Sequence, residues 1–158
     1  MESSQSILDQ ISVKMKIMQT LIGIMVLFII AGTLLSYLQM SPKVVSYIVP
    51  FEISTPEQIP FDTDESYASI VSLEKVKVIY KNKNEELVLW ITTDIGWNNV
   101  SDWEEKVNLE DGTEAYYTEF QNTKMLSWQN DGLEYALDYS GTKDVGEREL
   151  LKIADSIK

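Results

Sequence analysis

The chain has 158 residues, with 25 acidic side chains against 13 basic ones for a formal net charge of -12, and it contains neither cysteine nor histidine. This composition excludes thiol nucleophiles, disulfides, zinc sites built on Cys or His, and histidine general bases. An acidic surface repels phosphate backbones and anionic lipid headgroups, which argues against nucleic acid as a partner; it is able to attract cations, basic peptides or a basic protein face, against the plainer reading that it keeps the domain soluble.

At the amino terminus, Ile7, Leu8, Ile11 and Met15 recur at helical spacing behind a capping-box pattern of Ser6 and Asp9. The uncharged run Ile17 to Leu38 follows, behind Lys14 and Lys16. At about 1.5 Å per residue the run covers roughly 33 Å, which matches a hydrocarbon core of ~30 Å and exceeds the core of a signal peptide. It reads as a single-pass membrane helix acting as a signal-anchor, in contact with lipid through residues 17–38. No small-x-small cleavage pair stands after Leu38, where Gln39, Met40, Ser41 and Pro42 follow. Lys14 and Lys16 hold residues 1–16 in the cytoplasm by the positive-inside tendency, which places the remainder outside the cell membrane. Within the span, Gly32 and Ser36 form a small-xxx-small pair of the kind that lets two helices approach.

Ser41, Pro42 and Lys43 break the helix, and residues 39–50 read as a membrane-proximal linker whose β-branched run from Val44 leads into Phe51-Glu52-Ile53. Pro56 and Pro60 forbid regular structure in the next stretch. Asp62, Asp64 and Glu65 form an acidic loop that lacks the glycine turn of a calcium site, so it reads as solvated.

From Ser69 the chain alternates in the manner of an antiparallel meander. Val76, Val78 and Tyr80 alternate with Lys75 and Lys77, Lys81 to Glu85 make a polar turn, and Leu87, Leu89 and Ile91 alternate with Val88, Trp90 and Thr92. Gly96 to Asp102 reads as a loop. Two Asp-Gly pairs then mark hairpins: Asp111-Gly112 between Lys106–Leu109 and Glu114–Phe120, and Asp131-Gly132 between Met125–Gln129 and Leu133–Ser140. The last strand sorts Leu133, Tyr135, Leu137 and Tyr139 onto one face and Glu134, Ala136, Asp138 and Ser140 onto the other. A terminal helix is predicted from a capping pair, Asp144 and Glu147, and an apolar stripe of Leu150, Ile153, Ala154 and Ile157. The predicted fold is therefore α+β, residues 51–158 forming an antiparallel meander covered on one face by the carboxy-terminal helix, behind one membrane helix.

No motif places a catalytic residue, a metal ligand or a cofactor. There is no GxSxG, SxxK, phosphate-binding glycine loop or DxDxDG. The adjacent acids Glu85/Glu86, Glu104/Glu105 and Glu110/Asp111 would point to opposite faces of a strand. A non-enzymatic protein is expected, with a carboxylate-dependent envelope hydrolase as the catalytic alternative. The aromatic side chains are the better lead, because both faces of Leu87–Thr92 and Glu114–Phe120 carry large apolar groups and one helix does not easily cover both. Trp90, Trp97, Trp103, Tyr117 and Trp128 form the candidate binding surface, against the plainer reading that they are core and cross-strand pairs.

A recurring order of signals runs through this region: Phe51-Glu52-Ile53-Ser54-Thr55-Pro56 with Pro60, Tyr80, Gly112-Thr113-Glu114-Ala115-Tyr116-Tyr117, Leu126-Ser127-Trp128, Asp131-Gly132 with Tyr135, and Glu149 to Ile157. It resembles the bacterial domain-of-unknown-function family 4367 from about Phe51 to Lys158, although Phe61-Asp62 stands where that pattern has glycine after the second proline. The resemblance implies an extracytoplasmic domain behind one span, in a family some of whose members look like anti-sigma factors, and it carries over no catalytic residue. Sixteen cytoplasmic residues are too few for a folded sigma-binding domain. The expected function is a membrane-anchored sensory or binding module acting through a protein partner in the envelope, or alternatively a structural partner in an envelope assembly.

Overall fold

A computed structural model describes residues 2–100, 103 and 105–157. Expectations about the side chains of Ser6, Ile7, Leu8, Asp9, Ile11 and Ser36, and about Ser101, Asp102 and Glu104, lie outside the described residues. The chain divides into two compact units, Met1–Tyr37 and Leu38–Lys158.

The first unit is one continuous helix, α1 (Glu2–Tyr37). Its stretch Lys14–Gly32 has a mean hydropathy of 2.0 and is long and apolar enough to cross a membrane. Ile24, Met25, Val26, Leu27 and Phe28 are all exposed, and five consecutive residues at about 100° each go round every side of the helix axis. An apolar helix of this length is compatible with a membrane anchor or with a signal sequence.

The second unit begins earlier than the sequence suggests. Residues 39–50, expected as a linker, belong to the fold. Pro42 opens a single helical turn, α2 (Pro42–Val45), where its fixed φ suits the first helical position and its missing N–H costs nothing. The turn continues through Val49, whose N–H donates to the Val45 carbonyl at 3.2 Å. Val45 and Val49, four apart on one side, are buried at 0% and 6% exposure. Helical spacing thus overrides the β-branched composition that suggested an extended run. Met40 and Ala68 exchange two backbone hydrogen bonds, at 2.9 and 2.6 Å, that fasten this segment to the sheet edge.

Seven strands follow: β1 (Glu65–Ser72), β2 (Lys75–Lys81), β3 (Glu85–Thr92), β4 (Glu105–Asn108), β5 (Glu114–Phe120), β6 (Thr123–Asn130) and β7 (Leu133–Gly141). All pair antiparallel, in the order β1-β2-β3-β7-β6-β5-β4. Two runs of hairpins meet at the centre, where β7 lies against β3 as well as β6. The Asp131-Gly132 turn has φ of 49° and 76°, the doubly positive pattern of a type I′ hairpin. Gln121 supplies a further positive φ, 56°, in the β5–β6 turn. Glu65, placed in the acidic loop by sequence, starts β1 and pairs with Lys81 at 3.1 Å.

One face carries the main core: Leu87, Leu89 and Ile91 of β3 lie opposite Val76 and Val78 of β2 and Leu137 and Tyr139 of β7. It is covered by α3 (Glu147–Asp155), through fully buried Leu150 with Ile153 and Ala154, and by the irregular segment 45–61. The cap of α3 differs from the expected Asp144/Glu147 pair. Gly146 is the N-cap and donates its N–H to Glu149 Oε2 at 3.3 Å, two residues further along. Hydroxyl–hydroxyl hydrogen bonds join Thr55 to Tyr80 and Ser54 to Tyr135, and burial pushes the Tyr80 phenol up to about 12.

A buried carboxylate closes the far end of this core. Glu85 accepts from the Tyr139 hydroxyl, from Thr142 Oγ1 at 2.7 Å, and from the N–H groups of Thr142 and Lys143 at 3.2 and 3.3 Å. These donors, Tyr139 foremost, pull its carboxyl down to about 2. Its cross-strand partner is Gly141, where a β-carbon would stand 1.9 Å from Glu85 Oε2 and 2.6 Å from the Tyr139 hydroxyl.

Candidate functional site

The strand order forces a crossing. Strand β3 ends at Thr92 near the middle of the sheet, whereas β4 begins at Glu105 on the far edge, so the connection must pass over β7, β6 and β5. It does so on the face that α3 leaves open. Glu134, on that face of β7 and only 2% exposed, accepts the N–H of Gly96 and, at 3.2 Å, that of Asn98. Gly96 makes the approach possible with φ of 86°, a backbone region that side chains disfavour. Thr92 adds a further tie, donating to the Glu74 carbonyl at 2.8 Å and accepting from the Asp94 N–H at 3.0 Å. A carboxylate that sequence alternation assigns to a solvent-facing row is therefore the anchor of the loop above it.

Trp97 turns inward from this loop onto Trp90, with ring centroids 5.5 Å apart at 51°. Trp90 Nε1 donates to Asp138 Oδ2 at 2.7 Å, and burial raises the Asp138 carboxyl despite that bond. Three lysines lie over aromatic rings: Lys75 over Trp97 at 4.1 Å, Lys77 over Trp90 at 5.8 Å, and Lys81 over Tyr67 at 5.6 Å. Among the described residues the Trp97 Nε1–H is buried without a hydrogen-bond partner.

Between the loop and the β5–β6 strands lies a cavity of about 310 Å³, lined by Gly96, Asn98, Tyr116, Ser127, Gln129 and Glu134 among others. Tyr116 donates to Glu114, which also pairs with Lys106, and that lysine is the first cause holding the Glu114 carboxyl below its ordinary range. Ser127 donates to the Tyr135 carbonyl at 3.0 Å. Glu134 has no cation partner among the described residues. The cavity thus presents a buried carboxylate held by two amides, beside a phenol ring and a free amide side chain. These groups suit a hydrogen-bond donor of positive charge.

The five aromatic residues singled out in the sequence do not make one surface. Trp90 and Trp97 meet beneath the crossing loop, and Trp103 sits partly buried further along it. Tyr117 and Trp128 belong to the opposite, helix-covered face, at 7% and 4% exposure, where Trp128 stacks on Tyr135 at 5.3 Å and 9°. Strand parity decides this: Ala115, Tyr117, Leu126, Trp128 and Tyr135 share a face by cross-strand register. Glu134, Tyr116 and Ser127 were missed as site residues because only the crossing loop gives them a common cavity. Among the described residues no group of acids is placed to hold a metal, and Asp62 and Asp64 are exposed.

Of the adjacent acids, Glu85 and Glu86 behave as strand geometry dictates, Glu85 buried on the core face and Glu86 exposed, whereas Glu110 and Asp111 lie in the turn between β4 and β5, both exposed, and Glu104 lies outside the described residues. The fold does bring Glu105 of β4 against Glu147 of α3. Burial and then that hydrogen bond raise the Glu147 carboxyl. Direct contact differs from the separations of roughly 5 to 9.5 Å between the carboxyl pairs of glycoside hydrolases.

A seven-stranded antiparallel sheet, with one helix on one face and a pinned loop on the other, defines an α+β domain with a small polar cavity. The chain belongs to the family described as Domain of unknown function (DUF4367), whose profile matches residues 73–157, from the turn before β2 to the end of α3. No curated protein and no solved structure matches it. The segment 45–61 and β1 precede the matched region, yet Ser54 and Thr55 bond to Tyr135 and Tyr80 within it.

Proposed function

We propose that this chain is a membrane-anchored, non-catalytic binding module, its amino terminus in the cytoplasm and its domain outside, which captures a basic group of a protein or peptide partner. The observation that carries this reading is Glu134, a buried carboxylate that lines a cavity and accepts from two backbone amides, with no cation partner among the described residues. The net charge of -12 adds long-range attraction for a basic partner. Anchoring rests on the Lys14–Gly32 stretch, and orientation on Lys14 and Lys16 at its amino side. A sensory or regulatory role in the envelope follows if occupancy alters the pinned loop, because Glu134 holds Gly96 and Asn98 directly.

The test is a titration of the full chain in lipid nanodiscs with N-acetyl-lysine amide, N-acetyl-arginine amide and, as control, N-acetyl-aspartate amide, followed by amide NMR shifts. The cationic probes should move the Gly96, Asn98 and Ser127 signals, and the anionic probe should leave them in place. Equal responses to all three, or no response to the cations in the millimolar range, about -4 kcal/mol of binding, would reject the reading.

A further inference from the structure

Among the described residues of the domain, every exposed large apolar side chain but Phe120 lies in residues 38–48, at 71 and 73, or at 95. The fold gathers part of this set at one end of the sheet. Met40 pairs antiparallel with Ala68, which sets Leu38 level with Ile70, next to Val71 at the end of β1 and to the β1–β2 turn that carries Leu73. Thr93 donates its N–H to the Glu74 carbonyl at 2.9 Å, which brings Ile95 to the same rim. Exposures there are 52% for Leu38, 48% for Val71, 64% for Leu73 and 47% for Ile95. Such a concentration in a domain that otherwise buries its apolar groups points to an apolar neighbour.

The chain itself says which neighbour. Met40 follows Tyr37, the last residue of α1, by three positions, a reach of at most about 11 Å in extended chain. The rim is the end from which the chain enters the domain, so a membrane-embedded α1 keeps it close to the lipid surface. Glu74 and Asp94 flank the rim beside Lys75, so charge does not drive the contact and apolar burial must. We propose that the β1–β2 turn, with Leu73 at its tip and Val71 and Ile95 beside it, rests in the interfacial layer of the bilayer and fixes the domain's attitude on the membrane. This inference rests on reading α1 as a membrane span.

The chain has no cysteine, so single-cysteine labelling is free of background. Full-length L73C, F120C and V26C, each carrying an environment-sensitive NBD fluorophore, would be reconstituted in phosphatidylcholine vesicles. Lipid-borne nitroxide and aqueous iodide then serve as quenchers. The label at 73 should be quenched by nitroxide lipid several-fold more than the label at 120, and by iodide several-fold less. If the labels at 73 and 120 respond alike while the label at 26 is quenched by lipid, the rim does not touch the membrane and the inference falls. Protection of the label at 73 from iodide without lipid quenching would mean a protein neighbour and would also overturn it. Failure of lipid to quench the label at 26 would reject the span, and this inference with it.

Discussion

Val44 and Val45 are chemically identical neighbours, and the structure gives them opposite fates. Val45 is fully buried beneath β1 at 0% exposure, whereas Val44 is 47% exposed. Val45→Ala removes two carbons from a closed site. At about 0.8 kcal/mol per buried methylene plus a cavity contribution, the loss should come to roughly 2–3 kcal/mol. Val44→Ala should change stability by less than about 0.5 kcal/mol. For a domain of this size the first corresponds to a fall in Tm of roughly 6–15 °C, and the second lies near the error of measurement. Urea and thermal melts of a fragment starting at Gln39, followed by far-ultraviolet circular dichroism, separate the two. Equal and negligible effects would refute the packing of residues 40–49 into the core and restore the linker reading.

Other outcomes follow from the Glu85 site. Gly141→Ala places a β-carbon 1.9 Å from Glu85 Oε2, in a carboxylate that four donors hold still, so over-packing should cost about 1–3 kcal/mol by urea melt, more than alanine at a strand glycine with space around it. An unchanged midpoint would show that the strand end yields freely. Glu85 is depressed from 4.5 to about 2 in the folded chain, so its contribution to stability is complete above pH ~4.5 and is lost as pH falls from there towards 2. Wild type should therefore lose more stability than Glu85→Gln between pH 5 and pH 3 in parallel urea titrations, and parallel curves for the two proteins would reject the assignment.

Much of this molecule was legible from local pattern. The apolar run to Leu38, the alternation of Val76, Val78 and Tyr80 with lysines, both Asp-Gly turns and the stripe of Leu150, Ile153 and Ala154 each follow from one element's own periodicity and turn chemistry. Parity along β7 was correct as well, with Tyr135, Leu137 and Tyr139 on one side and Glu134 and Asp138 on the other.

What local pattern could not decide was which strand lies beside which. Placing β7 between β3 and β6 sends the β3–β4 connection across the open face, and that crossing buries Glu134, turns Trp97 onto Trp90 and creates the cavity beside Tyr116 and Ser127. Tyr117 and Trp128 went to the opposite face because cross-strand register, not aromatic character, assigns a side chain to a layer. Residues 39–50 joined the core for a related reason: the i, i+4 pair Val45 and Val49 gains its burial only when β1 is present to receive it. Periodicity within an element is a property of the chain alone, whereas the partner that an exposed backbone edge or an apolar face finds is settled by long-range packing, and the candidate site lies where two distant segments meet.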